Sequence, residues 1–160
     1  MLTLLLTLLL AACATPQQSG RQGLPEFPRP AASEVFAVAL DNIVDKYIEP
    51  VNIKTIAVEG LRGLGAIDAG IAVETTDQGV RLSVANQPAA EAKFPATDSP
   101  RAWADMMVTV ILTSRERSSE LRMAKAERIY EAVLDSALSH LDIFSRYAGA
   151  AEARRQRAKR

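Results

Sequence analysis

Apolar and polar residues recur along this chain with two different periods, and the switch between them marks its elements. In SEVFAVALDNIVDKYIEP the apolar positions Phe36, Leu40, Ile43, Val44 and Tyr47 follow helical spacing. Ser33 can cap the start of that helix and Pro50 closes the run. Asn52 offers a second cap, and Ile53, Ile56, Ala57, Leu61 and Leu64 form the stripe of a second helix that stops at Gly65. Gly60 and Gly63 lie inside it, where each costs about 1 kcal/mol relative to Ala unless another backbone packs closely against it.

The period then shortens to that of a strand. Ile71, Val73 and Thr75 alternate with Ala72 and Glu74, and Val80, Leu82 and Val84 alternate with Arg81 and Ser83. With Asp77-Gln78-Gly79 between them, the two runs predict a β-hairpin over about 71–84. A hairpin alone is marginal, so it must rest on the helices or on another strand. Residues 85–98, with Pro88 and Pro95, read as a polar loop. Ser99-Pro100 starts a third helix, since Pro at the first helical position gives up only an unpaired donor. Trp103, Met106, Met107, Val110 and Ile111 make its apolar face, and the polar stretch TSRERSSE ends or exposes it. The last helix, about 123–141, carries the strongest stripe: Ile129, Tyr130, Val133, Leu134, Ala137, Leu138 and Leu141.

The pattern predicts a mainly helical α+β fold, a small bundle of about four helices with one inserted β-hairpin, spanning 34–148. Its expected core is Phe36, Leu40, Ile43, Tyr47, Ile56, Leu61, Trp103, Met107, Ile111, Ile129, Val133, Leu134 and Leu138.

The first residues set an expectation for where the chain resides. MLTLLLTLLLAACATP has an apolar run from Leu2 that is about half the twenty residues needed to span a bilayer, which suits the core of a signal peptide over 1–12. Either the free amino group or residues upstream of Met1 supply its positive start. Leu10-Ala11-Ala12-Cys13 resembles the bacterial lipobox, in which the Cys thiol is acylated, so Cys13 is the expected lipidation site. Residues 13–33 hold four prolines and two glycines and read as a disordered tether. Ala14, rather than Asp, points to the outer membrane, with the protein on the periplasmic face of a bacterial envelope. The tail 149–160 ends in RRQRAKR, a basic segment read as solvated.

Composition narrows the chemistry. Lys plus Arg and Asp plus Glu are equal at 19 each, so no global field favours nucleic acid. Cys13 is the lone cysteine, which leaves no thiol for a disulfide. No His, Cys, Asp or Glu cluster has metal-ligand spacing, and no cofactor is expected. His140, late in the last helix, reads as a helix C-terminal cation or a surface residue rather than a catalyst. GLRGLG at 60–65 sits within a helical pattern and follows no strand, so it is not a phosphate loop. No paired nucleophile and base is visible, and an unrecognised small hydrolase is the weakest of the functional readings.

Two stretches carry a resemblance. IVDKYIEPVNIKTIAVEGLRGL, with Tyr47-Ile48-Glu49, and AVLDSALSHLDIFSRYAG, with Leu141-Asp142-Ile143-Phe144-Ser145-Arg146-Tyr147, are similar to the N-terminal region of the carboxyl-terminal processing, or tail-specific, peptidases. Ile143 and Phe144 replace the family's usual Pro and His, and residues from Ala66 to about Pro100 separate halves that adjoin in commoner members. The resemblance covers about 35–155. It implies structural roles for Tyr47, Leu141, Asp142, Ser145, Arg146 and Tyr147, and dimerisation or partner binding through the helices of 34–64. It also implies that the family's substrate-binding domain and its Ser nucleophile and Lys base lie outside this chain. Ser145 matches a turn serine of the motif rather than the nucleophile. The expectation is a non-catalytic region of a serine peptidase, with membrane lipid bound through acylated Cys13 and itself or a protease as partner. The alternative is a stand-alone envelope lipoprotein acting as an interaction module.

Overall fold

The computed structural model describes residues 23–141 together with 147, 149, 154, 155, 157 and 158. The expected signal peptide, Cys13 and most of the expected tether lie outside these residues.

Helix α1 runs Arg29–Lys46, several residues earlier than the Ser33 cap predicts. The proline-rich approach is the cause. Pro28 holds the extended N-cap geometry and Pro30 sits in the first turn, where its missing N–H costs nothing. Ser33 is therefore not a cap but a buried residue on the inner side of α1. Residues 27–33 of the expected tether instead belong to the fold, because Phe27 is buried, its ring 5.7 Å from that of Tyr130, which meets Phe36 edge-on at 5.5 Å.

Helix α2, Ile53–Arg62, is capped by Asn52, whose Oδ1 accepts from the Thr55 N–H at 3.2 Å. It tightens into a 3-10 turn over Gly63–Ala66 instead of stopping at Gly65. Its glycines face helix α5, Ala126–Ser139. A Cβ at Gly60 would meet Val133 at 3.2 Å, and one at Gly63 would sit 2.1 Å from the Ala132 carbonyl oxygen. Ser136 Oγ donates to the Glu59 carbonyl at 2.7 Å across the same seam. Here the helix cost of glycine is the condition for close approach.

The expected hairpin is present, as β1 Ile71–Thr75 and β2 Gly79–Val84, but it belongs to a three-stranded antiparallel sheet of order β1-β2-β3. Residues 85–98 are thus not all loop, since β3 spans Gln87–Lys93. Ala85 and Asn86 form its two-residue turn with φ of 49° and 62°, the left-handed pair that joins tight hairpins. Pro88 is tolerated because β3 is an edge strand, next to a register shift opposite Leu82 and Ser83. The inner face buries Val80, Leu82 and Ala90, and Phe94 beyond β3 lies 5.5 Å from Trp103.

Helix α3, Pro100–Arg115, starts at Ser99-Pro100 as expected. The polar stretch after it neither ends in solvent nor merges with the last helix, which begins at Ala126 rather than near 123. A short helix α4, Ser119–Met123, intervenes. Ser118 Oγ accepts from Leu121 N–H at 3.0 Å and donates to Asp68 Oδ2 at 2.6 Å, while Leu121 is fully buried. Arg115 is buried too. Its guanidinium donates to the carbonyls of Leu121 at 2.7 Å, Pro25 at 2.8 Å, Arg122 at 3.0 Å and Ala124 at 3.2 Å. The fold class is α+β, mainly α, with five helices among the described residues where the pattern predicted about four. Of the expected core, Tyr47 and Leu138 are half-buried and the rest are buried, while Val44 of the first stripe is 44% exposed. Among the described residues no helix is long and apolar enough to cross a membrane.

Arg115→Met keeps the bulk of the side chain but strips four carbonyls of their donor, and it is expected to cost about 3 kcal/mol in urea denaturation. Gly63→Ala is expected to lose more than about 2 kcal/mol by forcing α2 off α5, whereas Gly65→Ala should stay within about 0.5 kcal/mol of the parent. Equal midpoints for the two alanine variants would refute the close-approach account.

Candidate functional site

Two of the motif residues meet. Tyr47 is the C-cap of α1, extended at φ −71° and ψ 140°, with its N–H bonded to the Ile43 carbonyl at 3.1 Å. Leu141 follows α5, its N–H on the Leu138 carbonyl at 2.9 Å. Across 94 residues of sequence the Tyr47 hydroxyl donates to the Leu141 carbonyl at 2.9 Å. The bond closes one side of an open cavity of about 230 Å³ lined by Glu49, Asn52, Thr55 and His140. His140 is the exposed C-cap of α5, at the surface and at the helix end as its sequence position predicts.

Tyr147 lies on the other side of α5. Its backbone N–H donates to Asp135 Oδ1 at 3.0 Å. Burial, then the charges of Glu127 and Glu131 and the nearby Tyr130, push its phenol above the usual tyrosine range. Burial and Glu127 raise Tyr130 in the same direction. With Val35, Val38, Ala39 and Leu134, Tyr147 lines an apolar groove of about 440 Å³ between α1 and α5, with Glu34 at its rim. Val38 stands 51% exposed at its edge. The groove residues Val35 and Ala39 were absent from the sequence expectations. They lie off the main stripe of α1, and their i, i+4 spacing was the one available signal. Asp142, Ser145 and Arg146 lie outside the described residues, as does Cys13.

Several hydroxyl and amine side chains make structural contacts. Ser114 donates to the Val110 carbonyl, Ser118 to Asp68 and Ser136 to the Glu59 carbonyl. Lys46 bonds Asn42, and Lys54 Nζ stands 4.3 Å from the ring centroid of Phe94. Among the described residues no group of three or more His, Cys, Asp or Glu side chains could hold a metal ion. No protein-family model, curated protein or solved structure matches the chain.

Tyr47→Phe removes one neutral hydrogen bond at constant shape, so it is expected to cost about 1 kcal/mol. Amide exchange should quicken at Leu141 and leave the α3 core unchanged. An unchanged midpoint together with unchanged exchange at Leu141 would count against this contact.

Proposed function

We propose that this chain is the non-catalytic N-terminal helical, partner-binding region of a carboxyl-terminal processing serine peptidase, anchored by acylated Cys13 on the periplasmic face of a bacterial outer membrane. The observation that supports this most is the hydrogen bond between Tyr47 and Leu141, because each stands in one of the two stretches that resemble the family. Segments so far apart in sequence are joined at one end of the bundle. In this reading the apolar groove between α1 and α5 receives the partner, a second copy or a protease, and peptide hydrolysis belongs to residues outside this chain.

A second reading, a stand-alone envelope lipoprotein acting as an interaction module, draws on the same surface. Val38, at the edge of the groove on α1, is 51% exposed, as on a helix awaiting a partner.

An antibody against residues 100–140 separates the two in membrane fractions. A membrane band much heavier than the 17.3 kDa chain, released to the soluble fraction by Cys13→Ser, is the expected result. A membrane band at the chain's own mass supports the stand-alone reading. Retention at the membrane after Cys13→Ser would sink the lipid anchor.

A further inference from the structure

The two edges of the sheet are built differently. The β3 edge carries Pro88, a register shift and Lys93, devices that discourage a further strand. The β1 edge carries none of these: Ile71-Ala72-Val73-Glu74-Thr75 is a regular run in unbroken register with β2. The ladder also fixes which backbone groups of β1 are spare. Thr76 N–H bonds to the Gly79 carbonyl at 2.9 Å and Ala85 N–H to the Gly70 carbonyl at 2.9 Å. Even-numbered residues therefore face β2, and Ile71, Val73 and Thr75 point their N–H and C=O groups away from the sheet. Ile71 N–H is taken by the Asp68 carbonyl at 3.1 Å, and its own carbonyl faces the 3-10 turn, 4.0 Å from where a Cβ of Gly65 would stand. The open stretch is Val73 to Thr75, whose outward groups pair with no other backbone group among the described residues.

The side chains indicate what would fit there. On the inner face Val73 lies beside buried Leu82, in register with Ala90, yet is itself only half-covered at the end of that row. The outer face carries a charge row of alternating sign. Glu91 on β3 lies 3.7 Å from Arg81 on β2, and Arg81 is in register with Glu74 on β1. The next strand in that row is complementary when it brings a positive charge.

We infer that the β1 edge binds an extended peptide segment of a partner that places a Lys or Arg beside Glu74, between two β-branched residues that cover Val73. The added strand pairs with the outward groups of Val73 and Thr75, so the backbone supplies the attachment and Glu74 selects the sign of charge. The inference is independent of the envelope reading.

The test is amide exchange on the ¹⁵N-labelled full chain, alone and with acetyl-Thr-Val-Lys-Val-Thr-amide. In the chain alone, Val73 and Thr75 exchange fast while Ala72 and Glu74 are protected. The peptide then slows Val73 and Thr75 by about tenfold, as strand addition requires. Its backbone N-methylated form does not, and Glu74→Lys transfers the response to the peptide with Glu in place of Lys. Protection of Ala72 in that variant shows that the β1–β2 ladder survives. The inference is overturned by an inert peptide, by equal response to either sign of charge, or by Val73 and Thr75 already protected in the chain alone. Protection that grows with protein concentration also overturns it, since the occupant is then a second copy.

Discussion

The Arg115 guanidinium ties together three parts of the chain whose carbonyls it alone gathers at one point. A helix of five residues such as α4 leaves its last carbonyls without partners and cannot persist by local bonding. Arg115, at the end of the preceding helix, enters that gap and donates to Leu121, Arg122 and Ala124. Desolvation by burial lowers its pKa from the ordinary value, yet guanidinium stays charged at any physiological pH. Its fork of five N–H groups suits several carbonyls at once, as the three donors of a lysine do not. The fourth contact reaches back to Pro25, and the ring of Phe27 lies 5.5 Å from the guanidinium carbon. Phe27 then leans on Tyr130 and Tyr130 on Phe36, so one cation links the approach to α1, the end of α3 and the start of α5.

Backbone approach supplies the second constraint. α2 has ten residues, and glycines in it cost about 1 kcal/mol each in helix stability. That loss is offset by burial that larger residues at those positions would forbid. With Gly60 and Gly63 against Val133 and Ala132, the two helices come close enough for Ser136 to reach the Glu59 carbonyl. Leu61 and Leu64 then reach the core beside Ile129 and Val133, all four fully buried. The glycines inform about α5 as much as about α2.

What the sequence made legible was periodicity, and what it concealed was partnership. The stripes of α3 and α5, the cap at Asn52, the helix start at Ser99-Pro100 and the β1–β2 alternation are local patterns, and the structure contains each of them. β3 was missed because Gln87-Pro88-Ala89-Ala90 has weak strand preference and its turn, Ala85-Asn86, lacks the glycine that usually announces one. Arg115 was missed because a charged residue in TSRERSSE resembles solvent-facing sequence until a carbonyl 90 positions away is brought to it. Proline-rich composition suggested a tether through residue 33, and only the tertiary contacts of Pro25 and Phe27 show that this stretch joins the fold before then. Tyr47 and Leu141 stood out as pattern members, but their hydrogen bond is a tertiary fact. The groove was not legible at all, since Val35 and Ala39 become a surface only when α5 and Tyr147 flank them.

The sheet bears on how the bundle meets other molecules. It lies between the segments that hold Tyr47 and Leu141, yet Val80, Leu82 and Ala90 belong to the same core as Trp103, Ile111 and Val133. It is therefore no detachable insertion, because removing it would uncover α3 and unsettle the helices that bring Tyr47 to Leu141. The helical part offers a partner an apolar groove, which accepts many side chains of similar size and so discriminates poorly. The sheet adds a strand edge with one carboxylate beside it, where backbone pairing supplies attachment and Glu74 rejects like charge. A surface that binds by shape alone gains selectivity when a charged, register-fixed contact is built into the same rigid core, and the shared packing of sheet and helices supplies that rigidity.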